Sequence, residues 1–582
     1  MFSVLRKLSW FFKQYWKRYT VAVTLLLFAS LLDVIPPKLI GWAIDDIQFG
    51  QMSAERLGEL LLLYGGIIVI SYVITYVWMY QLFGGAFLIE RILRFRFKRH
   101  LLSMTPSFYE KNRTGDLMAR ATNDLKAISM TAGFGILTLI DSTIFMIIII
   151  AVMGFTISWQ LTLAALLPLP LMALAINYYG KQIHKRFTFA QDAFGNLNDN
   201  VLESIAGVRV IRAYVQEKAD EKRFNNQTED VFQKNMAVAK VDALFEPTIK
   251  ILVGLSYVIG LGYGAYLVFY QTITLGELIS FNIYLGMLIW PMFAVGELIN
   301  ILQRGNASLD RVNEILSYEA DVRENENPKH VKIAETISFS NVTFRYPSST
   351  ADNLQNVSLD VTRGQTIGIV GRTGSGKTTL IKQLLREYPI GKGTISISGI
   401  PIEKLSIDDV LSWIGYVPQE QILFSRTIRE NLQFGKDEVT ESEIKSALDL
   451  AAFDTDVTVL PKGLNTLVGE KGVALSGGQK QRISIARALL KDPEILLLDD
   501  AMSAVDGKTE ARIIENIRRE RTGKTTFITA HRLSAVQHAD WIVVMDEGII
   551  IEEGTHEQLL KRNGWYKEQF DRQQADSYKE VM

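Results

Sequence analysis

Apolar residues crowd the first half of the chain. Six stretches, Tyr19–Ile44, Leu60–Phe83, Gly133–Ser158, Leu161–Tyr179, Leu244–Tyr270 and Leu278–Leu302, are each long and apolar enough to cross a hydrocarbon core of about 30 Å. Ile144–Met153 is apolar without a break. Pro168 and Pro170 fall in the fourth stretch, where neighbouring helices can satisfy the freed backbone groups. Past about residue 305 the pattern changes. Residues 337–344 largely alternate apolar and polar, the spacing of a half-buried strand. Thr366–Val370 and Ile495–Asp499 are short apolar runs, as in buried strands. Between the two regimes, residues 318–330 are polar and charged and read as a linker. The pattern predicts a polytopic α-helical membrane domain at 1–317, a linker at 318–335 and an α/β domain at 336–582.

Charge orients the spans. Arg91, Arg94, Arg96, Lys98 and Arg99 follow the second span, and Lys181, Lys185 and Arg186 follow the fourth. The loop at 271–277 has no Lys or Arg, and the connection between the first two spans has only Arg56. By the positive-inside rule both termini and the long loops at 84–132 and 180–243 are cytoplasmic. Those loops are polar and helical in composition, so the spans should continue as helices below the membrane. Residues 1–20 carry Arg6, Lys7, Lys13, Lys17 and Arg18 among aromatics, with no small-residue cleavage site after the first apolar stretch. They read as a basic amphipathic helix on the inner membrane face.

Net charge is −1, so nothing global points to nucleic acid. There are no cysteines, which excludes disulfides and thiolate metal sites, and the six histidines form no metal-ligand pattern. Within the spans Asp33, Lys38, Asp141, Glu246, Lys250 and Glu297 are expensive placements. Glu246 and Lys250 suit an i,i+4 pair as well as they suit a cargo or gating contact. Asp141 and Glu297 have no partner within their own spans and are expected to face a cavity. Tyr72, Tyr76, Trp78, Tyr80, Tyr284, Met287, Trp290 and Met292 could line an adaptable apolar pocket, though interfacial anchoring accounts for any one of them.

The chemistry lies in the second domain. Gly371, Arg372, Thr373, Gly374, Ser375, Gly376, Lys377 and Thr378 fit the G-x-x-x-x-G-K-[ST] pattern of a P-loop. A buried-strand run precedes them and a helix opens at Thr379, the context the motif requires. Such a loop lets backbone N–H groups approach phosphates at the positive end of a helix. Lys377 should reach the β- and γ-phosphates, and the Thr378 hydroxyl should hold Mg²⁺. Leu475, Ser476, Gly477, Gly478 and Gln479 then spell LSGGQ.

A P-loop followed by LSGGQ resembles the ATP-binding-cassette (ABC) proteins, and the membrane half makes the chain similar to one half of an ABC exporter. The resemblance implies a type IV transporter fold, ATP and Mg²⁺ as cofactors, and roles for further residues. Tyr346 matches the aromatic that stacks on adenine. Asp499 matches the Walker B aspartate that supports Mg²⁺, and Gln419 the Q-loop glutamine that contacts metal or water. His531 matches the switch histidine at the γ-phosphate, 503–506 the D-loop and 468–472 the X-loop. Residues 108–117 and 203–213 look like the intracellular loops carrying coupling helices. In this family LSGGQ closes on the ATP of a partner motor, so a second half-transporter is implied, in a lipid membrane, with the motor on the cytoplasmic side and hydrophobic or amphipathic small molecules as cargo.

One position departs from the pattern. The family usually places a glutamate after the Walker B aspartate as general base; here it is Asp500. Its carboxylate sits back by roughly 1.5 Å, one C–C bond, and a general base must lie within hydrogen-bond reach of its proton. The chain's own site should hold ATP and hydrolyse it slowly, while its intact LSGGQ can complete a competent site in a partner that carries the glutamate. This resembles the degenerate-site subunits of heterodimeric bacterial multidrug exporters. A homodimeric exporter, a lipid flippase and an ATP-gated sensor or channel share the same parts.

Overall fold

The computed structural model describes residues 3–436, 438–469 and 473–581. It resolves into two compact units, Met1–Leu102 with Gly115–Tyr318, and Ser103–Thr114 with Glu319–Met582.

The first unit is helical. Six helices are long and apolar enough to span: Trp16–Gln48, Ala54–Leu102, Thr114–Thr156, Trp159–Ala206, Glu217–Phe269 and Leu275–Ser317. Each of the six apolar stretches falls on one of these helices, the third and fifth overrunning the helix end by two residues and by one. The 53-residue fifth helix is about 80 Å long at 1.5 Å per residue, so it far outruns a hydrocarbon core. Helix irregularities have local causes. The first breaks at Val34 ahead of Pro36 and Pro37, and the third contains π turns at Arg120–Asp124 and Asp141–Phe145. The N-terminal residues form two short helices, Ser3–Lys7 and Ser9–Gln14. Val4, Leu8 and Phe11 are buried, and Lys7 pairs with Asp310.

Close approach and polar bonds tie the spans together. A Cβ on Gly276 would stand 2.0 Å from the Gly41 carbonyl oxygen, so spans 1 and 6 meet backbone to backbone. Beside this contact Asp45 accepts from the Thr274 hydroxyl (2.6 Å) and the Gly276 N–H (2.8 Å). Further along, Asp124 accepts from Arg311 Nε (2.9 Å) and Ser308 (2.9 Å), joining spans 3 and 6. Glu246 and Lys250 do pair, at 2.7 Å. Glu297, expected to lack a partner, lies 3.6 Å from Arg304 on the same helix. Hydropathy ended the sixth span at Leu302, whereas the helix runs on to Ser317 and so carries Arg304 within reach. Asp141 accepts from Trp290 Nε1 at 2.9 Å. Tyr72, Tyr76 and Tyr80 are exposed, and Trp78 and Tyr284 are buried.

The second unit has two sheets. Strands β1 (Thr336–Phe344), β2 (Leu354–Thr362), β4 (Lys392–Ile397) and β5 (Ile400–Pro401) form an antiparallel sheet in the order β2-β1-β4-β5. The other six are β3 (Thr366–Gly371), β6 (Ile414–Val417), β7 (Ile495–Asp499), β8 (Thr525–Thr529), β9 (Trp541–Asp546) and β10 (Ile549–Gly554). Their order is β10-β9-β3-β8-β7-β6, parallel except for the β10 edge. β7 and β8 are buried along their whole length, as strands covered on both faces must be. Residues 319–335 lie on this unit. The Lys329 N–H donates to Lys404 O (2.8 Å), and Glu324 accepts from the Ile407 N–H (3.0 Å) at a helix start. The short helix Pro106–Lys111 also folds with it, and Glu110 accepts from the Tyr388 hydroxyl at 2.7 Å.

Candidate functional site

β3 delivers the chain into the P-loop, and helix α1 (Lys377–Leu384) leaves it. The turn needs glycine where it bends hardest. Gly376 has φ +103°, and a Cβ there would meet the Asn353 carbonyl oxygen at 2.8 Å; only glycine holds that conformation without strain. Thr373, Gly374, Ser375, Gly376, Lys377, Thr378 and Thr379 line a cavity of about 210 Å³ together with Gln419, Asp499, Asp500, Thr529, His531 and Asn353. Gly371 and Arg372 contribute their carbonyls, which accept from Lys377 Nζ at 2.9 and 2.8 Å. Burial pulls the Lys377 ammonium below its usual pKa, opposed by Asp500 and Asp499. Parked against carbonyls, it is a cation ready to exchange them for phosphate oxygens.

Two observations bear on ligand fit. The Ser375 hydroxyl oxygen is buried with no hydrogen-bond partner among the described residues, in a glycine-rich loop of the kind that suits a phosphate. The Thr378 hydroxyl donates to Asp499 Oδ1 at 2.8 Å. With Gln419 these are hard oxygen donors, the set that holds Mg²⁺ through one carboxylate and the substrate's phosphates. Asp499 also accepts from Thr529 Oγ1 at 2.8 Å and is buried at the end of β7.

Asp500 follows in a left-handed conformation, φ +46°, which Asp tolerates better than most side chains. Its N–H donates to Thr529 Oγ1 (2.9 Å), and its carbonyl accepts from Ser503 (3.0 Å). Burial raises its carboxyl above the usual range, while His531, Ser503 and Lys377 oppose this. Tyr346 lies beside the cavity. It is half-buried, its hydroxyl donates to Thr379 Oγ1 (3.2 Å), and Tyr388 packs edge-on at 5.0 Å.

Ser476, Gly477, Gly478 and Gln479 are not brought to this cavity. They open helix α2 (Gly477–Leu490), where Ser476 Oγ accepts from the Gln479 N–H (3.3 Å) and Gln479 Oε1 accepts from the Ser476 N–H (3.0 Å). Gln481 fixes this helix start to the D-loop, donating to Ser503 Oγ (3.0 Å) and accepting from the Ala504 N–H (2.9 Å). Of the X-loop, Glu470, Lys471 and Gly472 lie outside the described residues. Sequence reasoning missed Asn353, which belongs to no motif, and gave Thr529 no role of its own although it opens the switch-histidine motif; the strand order places Thr529, on β8, beside Asp499 on β7.

Six spans followed by a P-loop ATPase with a separate LSGGQ helix define an ABC half-transporter, and the comparisons agree. Residues 19–292 match the model of the ABC transporter transmembrane region, and 354–503 the ABC transporter model. The chain belongs to the ABC transporter family, as a fused transmembrane and ATP-hydrolysing half of the exporter type. It is 63% identical over 578 residues to the "Probable multidrug resistance ABC transporter ATP-binding/permease protein YheI" of Bacillus subtilis, covering 99% of this chain and 98% of that one. It is 34% identical to the "ATP-dependent lipid A-core flippase" of Syntrophus aciditrophicus, covering 94% and 91%. Its fold is similar to that of a bacterial Atm1-family ABC exporter solved with ATP bound, with a TM-score of 0.76, 25% identity and coverage of 96% and 98%.

Proposed function

We propose that this chain is the degenerate-site half of a heterodimeric multidrug exporter in the bacterial cytoplasmic membrane, with its ATPase unit cytoplasmic, and that it resembles the BmrC subunit of BmrC–BmrD from Gram-positive bacteria. The observation that carries the reading is Asp500. It lines the P-loop cavity where a longer glutamate would serve as base, on a backbone that neighbouring bonds hold in place. Export of drugs is supported by the likeness to a protein named for multidrug resistance. Tyr346 stacks on adenine, Lys377 neutralises phosphates, and Thr378, Asp499 and Gln419 hold Mg²⁺. His531 contacts the γ-phosphate, and residues 476–479 close on the partner's ATP. Closure of two motors on ATP opens the membrane cavity outward; hydrolysis at the partner's competent site resets it.

ATPase activity of the purified chain, alone and with a candidate partner, tests this. Expected are near silence alone, activity in the pair, and loss of turnover only when the partner's glutamate becomes Gln. Brisk turnover of the chain alone, abolished by Asp500→Asn, overturns the asymmetric site and leaves a homodimer. The flippase relative gives a second reading. Stimulation of the ATPase by lipid without stimulation by hydrophobic drugs would favour it. Dye transport into vesicles by the pair would exclude an ATP-gated sensor without vectorial transport.

A further inference from the structure

We infer that Gln573, on the C-terminal helix, is a positioning residue for His531, and that docking of this helix sets how well the site distinguishes ATP from ADP. The inference rests on the reading of His531 as the γ-phosphate contact.

His531 stands just past the end of β8. The Ala530 N–H still donates to Ile369 O at 3.2 Å, and beyond it the chain leaves the sheet. The His531 side chain is exposed at the cavity, so the position of its ring depends on its backbone. That backbone is gripped from outside the motor's sequence motifs. Gln573 Nε2 donates to the His531 carbonyl oxygen at 2.9 Å, and Gln573 Oε1 accepts from the Leu533 N–H at 2.9 Å. One carboxamide thus holds both sides of Arg532, as a neighbouring peptide group would. Arg532 and Ser534 bind the other side of the loop. Arg532 donates to Val505 O in the D-loop (3.1 Å), and Ser534 donates to the buried Glu510 (2.7 Å).

The helix that carries Gln573, α3 (Trp565–Val581), is fastened to the same unit. Tyr566 is fully buried, and its hydroxyl lies 2.8 Å from His556 Nδ1. Phe570 packs edge-on to His556 at 5.2 Å. Residues 566, 570 and 573 share one helical face, so the contacts that seat the helix also aim Gln573. The chemistry is selective. The clamp needs a donor and an acceptor on one group. Glutamate has no donor and would set a carboxylate against a carbonyl oxygen; asparagine falls short by about 1.5 Å.

The test is equilibrium binding of MgATP and of MgADP to the full-length chain, measured by competition with a fluorescent nucleotide, in wild type, Gln573→Ala, Gln573→Glu, His531→Ala and the Gln573→Ala/His531→Ala double variant. Expected is a loss of about tenfold in ATP affinity for both Gln573 variants, from two backbone hydrogen bonds, with ADP affinity unchanged. In the double variant Gln573→Ala should cost nothing beyond His531→Ala, because both act through one group. If ATP and ADP affinity fall together, or the two substitutions add, Gln573 is merely structural and the inference is overturned. If His531→Ala itself leaves the ATP preference intact, the reading of His531 fails and the inference fails with it. If only His531→Ala lowers the preference, that reading stands and the inference alone fails.

Discussion

Replacing Asp500 by Glu in this chain should switch on its own ATP site. The backbone at 500 is pinned: its N–H donates to Thr529 Oγ1 and the Thr529 carbonyl, and Ser503 holds its own carbonyl. An added methylene therefore cannot be absorbed by backbone drift. It carries the carboxylate about 1.5 Å further into the cavity. A misplacement of ~1 Å costs up to ~10²-fold in rate, so recovering the reach should return about that factor. Against it stands the left-handed φ of +46°, which Asp tolerates more readily than Glu; that cost falls on stability and is small beside the gain. The assay is phosphate release at saturating MgATP by the proposed heterodimer in which the glutamate proposed for the partner's site has been changed to Gln, so that only this site can turn over. A rise of about 100-fold over the Asp500 parent is expected, with Asp500→Asn at background. Equal rates for Asp, Glu and Asn would refute the reasoning, because carboxylate reach would then not limit the reaction.

Other expectations follow from packing and charge. Arg521 is buried and donates to Thr526 Oγ1, Pro493 O, Glu494 O and Thr525 O at 2.9–3.3 Å, and burial pulls its pKa down to about 10. Arg521→Met should cost the ATPase unit about 3 kcal/mol through unsatisfied carbonyls, read as a drop of about 6–12 °C in its thermal midpoint; a shift under about 2 °C would show the bonds to be dispensable. Gly276→Ala should lower the yield and stability of the folded membrane unit, at about 1–3 kcal/mol, because its Cβ meets backbone at 2.0 Å. Gly58→Ala, with nothing within 4 Å, is the control that should be neutral. Lys436 and the Thr440 backbone hold Glu443 down at about 2, from 4.5. A depressed acid stabilises above its unfolded value and loses that effect as pH falls through the folded one. Amide protection in Glu441–Leu450 should thus decline between pH 4.5 and about 2, and Glu443→Gln should flatten that decline.

Most of the site could be read locally. The P-loop, Asp499 and LSGGQ each sit in a short motif whose strand or helix is fixed by adjacent residues. The six spans emerged because hydrocarbon demands about twenty apolar residues in a row. What stayed hidden depends on distant partners. Residues 103–114 read as part of a loop between spans, yet they fold with the ATPase unit, where Glu110 meets Tyr388. Residues 324–330 read as linker because they are polar, but their polar groups are what bind Lys404, Ile407 and Asp409. Glu297 seemed alone because a hydropathy window stops at charges, and its partner Arg304 is one. Gln573 belongs to no motif at all.

The two π turns in the third span bear on how residue numbers can be carried between relatives. Each such turn accommodates an additional residue while the helix continues. Every position after it is rotated by about 100°, one residue's share of a 3.6-residue turn. A homologue that runs regular α-helix through Arg120–Asp124 or Asp141–Phe145 therefore aligns in space with this chain only if a single-residue gap is opened there. Without that gap, residues that face the bundle in one protein would be matched with residues that face lipid in the other, along the whole remainder of the span.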